Sequence, residues 1–490
     1  MKTVIVPLLV VLNLVYSQSL ISNDLIVQTD TGRVKGGIKS IANASSVVFL
    51  GIPYAKPPVG SFRFGRPSPA SRWSGILQAT TMPKICYPGV MDTAKMSNSY
   101  SEDCLYINIY VPANRSSNTA LPVFVWVHSD SPSSAMMELS NGSALAITGN
   151  FIVVTFDFRQ GVLGYLTGMD SSGQSVFTPN LGILDQVMAL EWIQRNIASF
   201  GGDPKRVTLA GTTTGAFSIG LLFTNSTHQQ NLYQRIALVS GSPLMPHMYY
   251  SSLNAASTSM HQFLQRSQCS VGTTLLLIQS CLRNLSIASV LSAQSALTTS
   301  TYNSPFKAVI DGNIIKSDPL TALNNNQFDR QIQILASVVR PDSALNTGNG
   351  ASRLQFNQQL NSLFSYTNHI AKSAVVNRYT DWSNVSSTLA NRQQLTSLYS
   401  DYFATAPLVN ALNLISARGA STFMYEFSYP VHTPIDFSSQ PKYLPIRSEI
   451  SYLFGYPILQ SLNNHNRYSS NDADITRSLI QFWSNYVYNG

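Results

Sequence analysis

Apolar residues gather along the chain in short unbroken runs. Val123 to Val127, Phe151 to Phe158, Arg206 to Ala210, Arg235 to Val239 and Gln331 to Val339 each place β-branched and other apolar residues on consecutive positions. Strands covered on both faces, as in a parallel sheet, carry this pattern. Between two of these runs, over Gly182 to Phe200, Ile183, Val187, Leu190 and Ile197 recur near helical spacing and put an apolar stripe on one face. The rhythm is strand, helix, strand. No repeat of about 20 to 50 residues and no long Gly/Pro linker interrupts it, which predicts one large α/β domain with insertions over residues 18–490. Ser251 to Thr301, rich in Ser, Leu and Gln, is the predicted helical insertion.

Composition narrows the class. The chain is 44% hydrophobic, 10% aromatic and 11% charged, which excludes a disordered chain or a coiled coil and supplies a core. Lys and Arg total 31 against 23 Asp and Glu, a net charge of +8, but the basic residues are scattered and form no stripe for a phosphate backbone, so nucleic acid is not an expected partner.

The first residues have the form of an export signal. Lys2 supplies the positive end, Val4 to Val15 the apolar run, and Val15 and Ser17 the small residues before a cut, so residues 1–17 are predicted to be a signal peptide. The chain is therefore expected in the secretory lumen or outside the cell. No later run of about 20 uninterrupted apolar residues occurs, and no membrane span is expected. Cys86, Cys104, Cys269 and Cys281 make an even count, which in an exported chain favours two disulfides over a metal site, with three pairings open. Sequons stand at Asn43, Asn114, Asn141, Asn225, Asn284 and Asn384.

Four segments carry a family likeness. They are SEDCLYINIYVP (Ser101 to Pro112), GILDQVMALEWIQRNIASFGGDP (Gly182 to Pro204), IPYAKPPVGSFRFGRPSPASRWSG (Ile52 to Gly75) and AVIDGNIIKSDP (Ala308 to Pro319). Together, and following one another along the chain in the family's order, they resemble the type-B carboxylesterase and cholinesterase family. The resemblance implies the α/β-hydrolase fold, a mostly parallel central sheet flanked by helices. It also implies pairing Cys86 with Cys104 and Cys269 with Cys281, and a buried ion pair between Arg63 and Glu102.

The catalytic positions depart from that family. Its nucleophile is a serine in G-x-S-x-G on a sharp turn between strand and helix. Here the turn reads Gly211-Thr212-Thr213-Thr214-Gly215. Thr213 keeps a hydroxyl, but the turn forces a positive φ that a β-branched residue tolerates poorly, and its methyl crowds the line of attack. A hydroxyl also needs an adjacent base. The family's histidine, in H-G-x-E before F-G-x-P, aligns with Ile446 in Ile446-Arg447-Ser448-Glu449, the register being held by Glu449 and Phe454 to Pro457. Isoleucine cannot take a proton, and Arg447 does not replace it near neutral pH. His432 is read as a packed or surface imidazole. Asp342, in LASVVRPDSA, stands at the place of the acid but has no histidine to orient.

The oxyanion hole is altered as well. The family builds it from a glycine run after a V-W-V strand, and here Trp126-Val127-His128 leads into Ser129, Asp130 and Ser131. Side chains now stand where backbone must approach, and the Asp130 carboxylate opposes the charge that develops on a carbonyl oxygen. Ala94 stands where cholinesterases place the tryptophan that holds quaternary ammonium, so choline-ester recognition is not expected.

The resemblance and its departures together lead to the expectation of a non-catalytic esterase-fold protein that acts through its surface in binding or adhesion. Neuroligin-like, neurotactin-like and gliotactin-like proteins combine an intact scaffold with a lost nucleophile in this way, but this chain ends at Gly490 without their membrane span and tail, which points to a soluble form. A structural or storage protein of secretory vesicles and a hydrolase using Thr213 are the alternatives. The expected partners are an extracellular or lumenal protein, a second copy of the chain, or a small apolar ligand in a surviving gorge. No cofactor and no metal are expected.

Overall fold

The computed structural model describes residues 24–41, 44–89, 98–113, 119–129, 141–170, 172–224, 231–269, 274–298, 304–339, 350–365, 367–429, 448–461 and 468–490. Nine strands form the central sheet: β1 (Gly37–Ile41), β2 (Ala44–Pro53), β3 (Tyr106–Pro112), β4 (Leu121–Val127), β5 (Ile152–Phe156), β6 (Gly202–Thr212), β7 (Arg235–Val239), β8 (Gln333–Val339) and β9 (Thr422–Phe427). Their spatial order is β9-β8-β7-β6-β4-β5-β3-β2-β1. From β9 through β5 every neighbouring pair is parallel. The remaining pairings, out to β1, are antiparallel.

The helices that matter below are α1 (Ser143–Gly149), α2 (Leu181–Asn196), α3 (Thr214–Thr224), α4 (Leu253–Arg266), α5 (Leu275–Asn284), α6 (Ile287–Ser295), α7 (Arg353–Leu363), α8 (His369–Arg378), α9 (Thr388–Ser400), α10 (Ala406–Ser416), α11 (Ser448–Leu453) and α12 (Ser470–Asn489). The unbroken apolar runs have a direct cause. β4 is buried at every position. Its Val123, Val125 and Val127 join a core that includes residues of α2, α3 and α10, while Phe124 and Trp126 point the other way, toward α11 and α12. On that second face Phe124 meets Trp483 edge-on with centroids 5.8 Å apart, and Trp126 meets Phe454 at 5.3 Å. Burying a side chain such as Phe124 stabilises the fold by roughly 1.5–3 kcal/mol. The architecture is the expected α/β-hydrolase arrangement, a mostly parallel sheet with helices on both faces.

The cysteines pair as the resemblance implied, Cys86 with Cys104 and Cys269 with Cys281. The second pair joins the end of α4 to α5 inside the predicted helical insertion, which packs as its own cluster around Phe263, Leu282 and Leu291. Arg63 holds Glu102 through two hydrogen bonds, Nε to Oε1 at 2.6 Å and a second from the terminal nitrogen. Its other nitrogen donates to the carbonyls of Leu282, Arg283 and Leu285, so this ion pair ties the insertion to the N-terminal part of the chain.

No single helix among the described residues is long and apolar enough to cross a membrane. The proposed signal peptide lies outside the described residues.

Candidate functional site

The parallel block brings the carboxyl ends of β4, β6, β7 and β8 side by side, which is where ligands bind in open α/β sheets. Between β6 and α3 the chain turns at Thr213 alone, at φ +51°. A β-branched residue adopts this left-handed conformation only where its surroundings over-determine it, at a cost of about 1–3 kcal/mol. The surroundings do so here. The Thr213 amide donates to the Val239 carbonyl at 2.9 Å, and its own carbonyl accepts from Phe217 at 2.9 Å, the first bond of α3. A Cβ on Gly215 would lie 2.3 Å from the Val127 carbonyl oxygen, and one on Gly241 2.4 Å from that of Thr213. These glycines permit the close approach of three chain segments, which is why G-x-x-x-G persists although the serine does not.

The side chain of Thr213 is buried, with 5% of its surface exposed. Its hydroxyl lies 3.4 Å from that of Thr212, and among the described residues no imidazole or carboxylate is within hydrogen-bonding reach of it. The histidine nearest in the chain to the end of β4, His128, is engaged elsewhere. Its Nε2 meets Asp157 Oδ1 at 2.9 Å, its Nδ1 lies 3.1 Å from the Ser129 carbonyl oxygen, and its ring stacks on Phe158 at 4.8 Å.

Of the three oxyanion positions, Ser129 is described. It is buried, and its Oγ has no hydrogen-bond partner among the described residues. Asp130 and Ser131 lie outside the described residues, as do Asp342, Ile446, Arg447, His432 and Ala94. In this type of turn the second oxyanion donor is the amide of the residue after the nucleophile. That residue, Thr214, opens α3 and its backbone position does not depend on the side chain. Sequence reasoning counted the hole as lost and overlooked this half of it.

Glu449, used in the sequence only to fix the register of Ile446, has a structural place of its own. It is fully buried, accepts hydrogen bonds from Ser337 of β8 at 3.0 Å and from Tyr425 of β9, and Tyr425 in turn accepts from Trp483 of α12 at 2.8 Å. Burial lifts its carboxyl from the ordinary range to about 7, against the two hydroxyl donors that favour the charged form. α11 is thus anchored to β8 and β9 by a buried carboxyl group that no motif marks as structural.

A small recess, partly open to solvent, lies beside α3. Thr214, Phe158, Phe217, Phe306, His247 and Lys307 contribute to its wall; Thr213 does not. The walls are largely aromatic, with Lys307 and His247 on one side. Burial lowers the Lys307 ammonium, which donates to the His247 carbonyl at 2.8 Å and lies 4.6 Å from the centre of the Tyr250 ring. Burial and the Lys307 charge lower the His247 imidazole.

Asn284 and Asn384 are exposed, whereas Asn141 is half-buried with its Oδ1 accepting from the Ser143 amide at 3.2 Å. Asn43, Asn114 and Asn225 lie outside the described residues.

Comparison with known proteins agrees with the fold. A sequence model of the carboxylesterase family matches residues 23–490. The chain is also 31% identical to acetylcholinesterase of Bungarus fasciatus over 497 residues, covering 96% of this chain and 79% of that protein.

Proposed function

The chain belongs to the carboxylesterase family, and within it we propose a non-catalytic member, exported into the secretory lumen or the extracellular space and acting through its surface. One observation carries this reading: the hydroxyl at the nucleophile's place is buried against the hydroxyl of Thr212, and the base's place is isoleucine. General base catalysis requires a group with a proton affinity near the operating pH within reach of the hydroxyl. Neither Thr212 nor isoleucine is such a group. Ser129 at an oxyanion position supports the same conclusion, since a side chain stands where the family's glycine lets the backbone approach the substrate.

The expected function is binding or adhesion, with an extracellular or lumenal protein or a second copy as partner. A small ligand in the aromatic recess beside α3 is a second reading, supported by the Lys307 and His247 side chains, which fit an apolar molecule with an anionic end.

A fluorophosphonate, which phosphonylates activated serine and threonine hydroxyls, tests the reading. Mass analysis of the purified full chain is expected to find no adduct on Thr213 under conditions that fully label a serine esterase. Stoichiometric adduct on Thr213 overturns it.

A further inference from the structure

Trp382 is 62% exposed. Of the five tryptophans in the chain, Trp126, Trp192 and Trp483 are buried and Trp73 is half-buried, so an indole this open needs an explanation. It sits in the connection between α8 and α9. Two residues later comes the sequon Asn384-Val385-Ser386, with Asn384 and Ser386 both exposed.

The turn is well defined. The Asn384 amide donates to the Asp381 carbonyl at 3.1 Å, placing Trp382 and Ser383 at the corner, and Ser387 donates to the Asn384 carbonyl at 2.9 Å. Asp381 Oδ1 accepts from the Ser383 amide at 3.0 Å and from its hydroxyl at 2.6 Å. The indole is held by its edge, Nε1 donating to the Asn377 carbonyl at 3.2 Å. The indole is therefore held at its edge with its surface open to solvent, two residues before an acceptor asparagine in the same tight turn, within reach of a sugar attached there. The carbon-bound hydrogens of a pyranose pack on such a face and hide it from water while the sugar hydroxyls stay solvated. The other described sequons lack this partner: two residues before Asn284 stands Leu282, and two before Asn141 stands Leu139.

We propose that Asn384 carries an N-linked glycan whose first N-acetylglucosamine lies on the exposed face of Trp382 and fixes the turn between α8 and α9. This rests on the reading that the chain is exported. The donor is an oligosaccharide carried on a polyprenyl diphosphate. A bond forms between Asn384 Nδ2 and the sugar C1, the bond from C1 to the diphosphate oxygen breaks, the polyprenyl diphosphate leaves, and the amide loses one proton.

The test uses the full chain secreted by a glycosylating eukaryotic host, with Asn384→Gln, Trp382→Ala and the double variant beside it; both positions are exposed. Peptide mapping reads occupancy, hydroxyl-radical oxidation reads cover of Trp382, and hydrogen exchange reads the turn. Asn384 is expected to be occupied. Asn384→Gln is expected to raise oxidation of Trp382 and exchange over 379–388 by about two- to tenfold, the size of an exposed stacking contact. Trimming to a single sugar is expected to keep the protection, and in the Trp382→Ala background loss of the glycan is expected to leave exchange unchanged. A bare Asn384 with Asn284 occupied overturns the inference alone. So does an occupied Asn384 whose removal leaves Trp382 oxidation and the turn unchanged. A chain without glycan at any sequon overturns both this inference and the export reading.

Discussion

The imidazole of His128 meets the carboxylate of Asp157, Nε2 to Oδ1 at 2.9 Å, and is not turned toward the hydroxyl of Thr213. The pair is fixed from the carboxylate side. Asp157 is buried, and its oxygens also accept from the amides of Cys86 at 2.7 Å and Phe158 at 2.8 Å. It therefore ties the loop after β4 to the loop after β5 and to the first disulfide loop, a structural task.

Removing that carboxylate is expected to destabilise the fold without touching chemistry. Asp157→Ala leaves two buried amides unsatisfied, at ~1–3 kcal/mol each. Urea unfolding is expected to report this loss, and ester hydrolysis by the purified chain is expected to stay at the buffer level in both proteins.

The turn at Thr213 is expected to respond to the shape of the residues that build it. Gly215→Ala forces a Cβ to within 2.3 Å of the Val127 carbonyl oxygen, and a backbone atom cannot yield as a side chain can, so a loss of about 2–3 kcal/mol is expected in the thermal transition. Thr213→Ser is expected to be nearly neutral. The one methyl it removes is worth ~1 kcal/mol of burial, offset by relief of a β-branched residue at positive φ.

Glu449 is expected to make stability fall as pH rises. Its carboxyl titrates near 7 in the folded chain against 4.5 as the reference value, so between those values the folded state holds a proton that the unfolded state has released. Stability from this group is complete below about pH 4.5 and is lost progressively up to about pH 7. The shift corresponds to about 3 kcal/mol. Glu449→Gln removes the titration, so chemical unfolding at pH 5 and pH 8 is expected to show the variant gaining on the wild type at the higher pH by up to that amount.

Breaking the second disulfide is expected to act locally. Cys269 and Cys281 close a short loop within the cluster of α4, α5 and α6, and Cys269→Ser with Cys281→Ser is expected to cost ~2–3 kcal/mol. Limited proteolysis is expected to cut first between α4 and α6, with the sheet retained.

Most of the sheet could be read from the sequence because its inner strands are covered twice. Arg235–Val239 has the predicted bounds, and the run from Arg206 to Ala210 extends to Gly202–Thr212. The antiparallel edge was less legible. β1 carries the polar-rich sequence GIKSI and has one buried residue, so its pairing with β2 leaves no apolar signature. α8 buries none of its residues and has no stripe to find. At the site, Thr213 and Ser129 were visible as replaced letters in known motifs. The pairing of His128 with Asp157 was not, because it joins the ends of two strands 29 residues apart. The burial of Glu449 depends on Ser337, Tyr425 and Trp483, none of them near it in the chain. A histidine immediately after β4 and an aspartate immediately after β5 were the available signals, since parallel strands place such ends together.

Hydrolysis of short and long p-nitrophenyl esters by the purified secreted chain tests the central claim most directly, with Thr213→Ala and the double variant Thr213→Ser, Ile446→His measured beside it. The account predicts turnover at the buffer rate for the wild type, from a chain that still unfolds in a cooperative thermal transition, and no change in Thr213→Ala. Turnover well above buffer that disappears in Thr213→Ala would contradict it and make Thr213 a nucleophile.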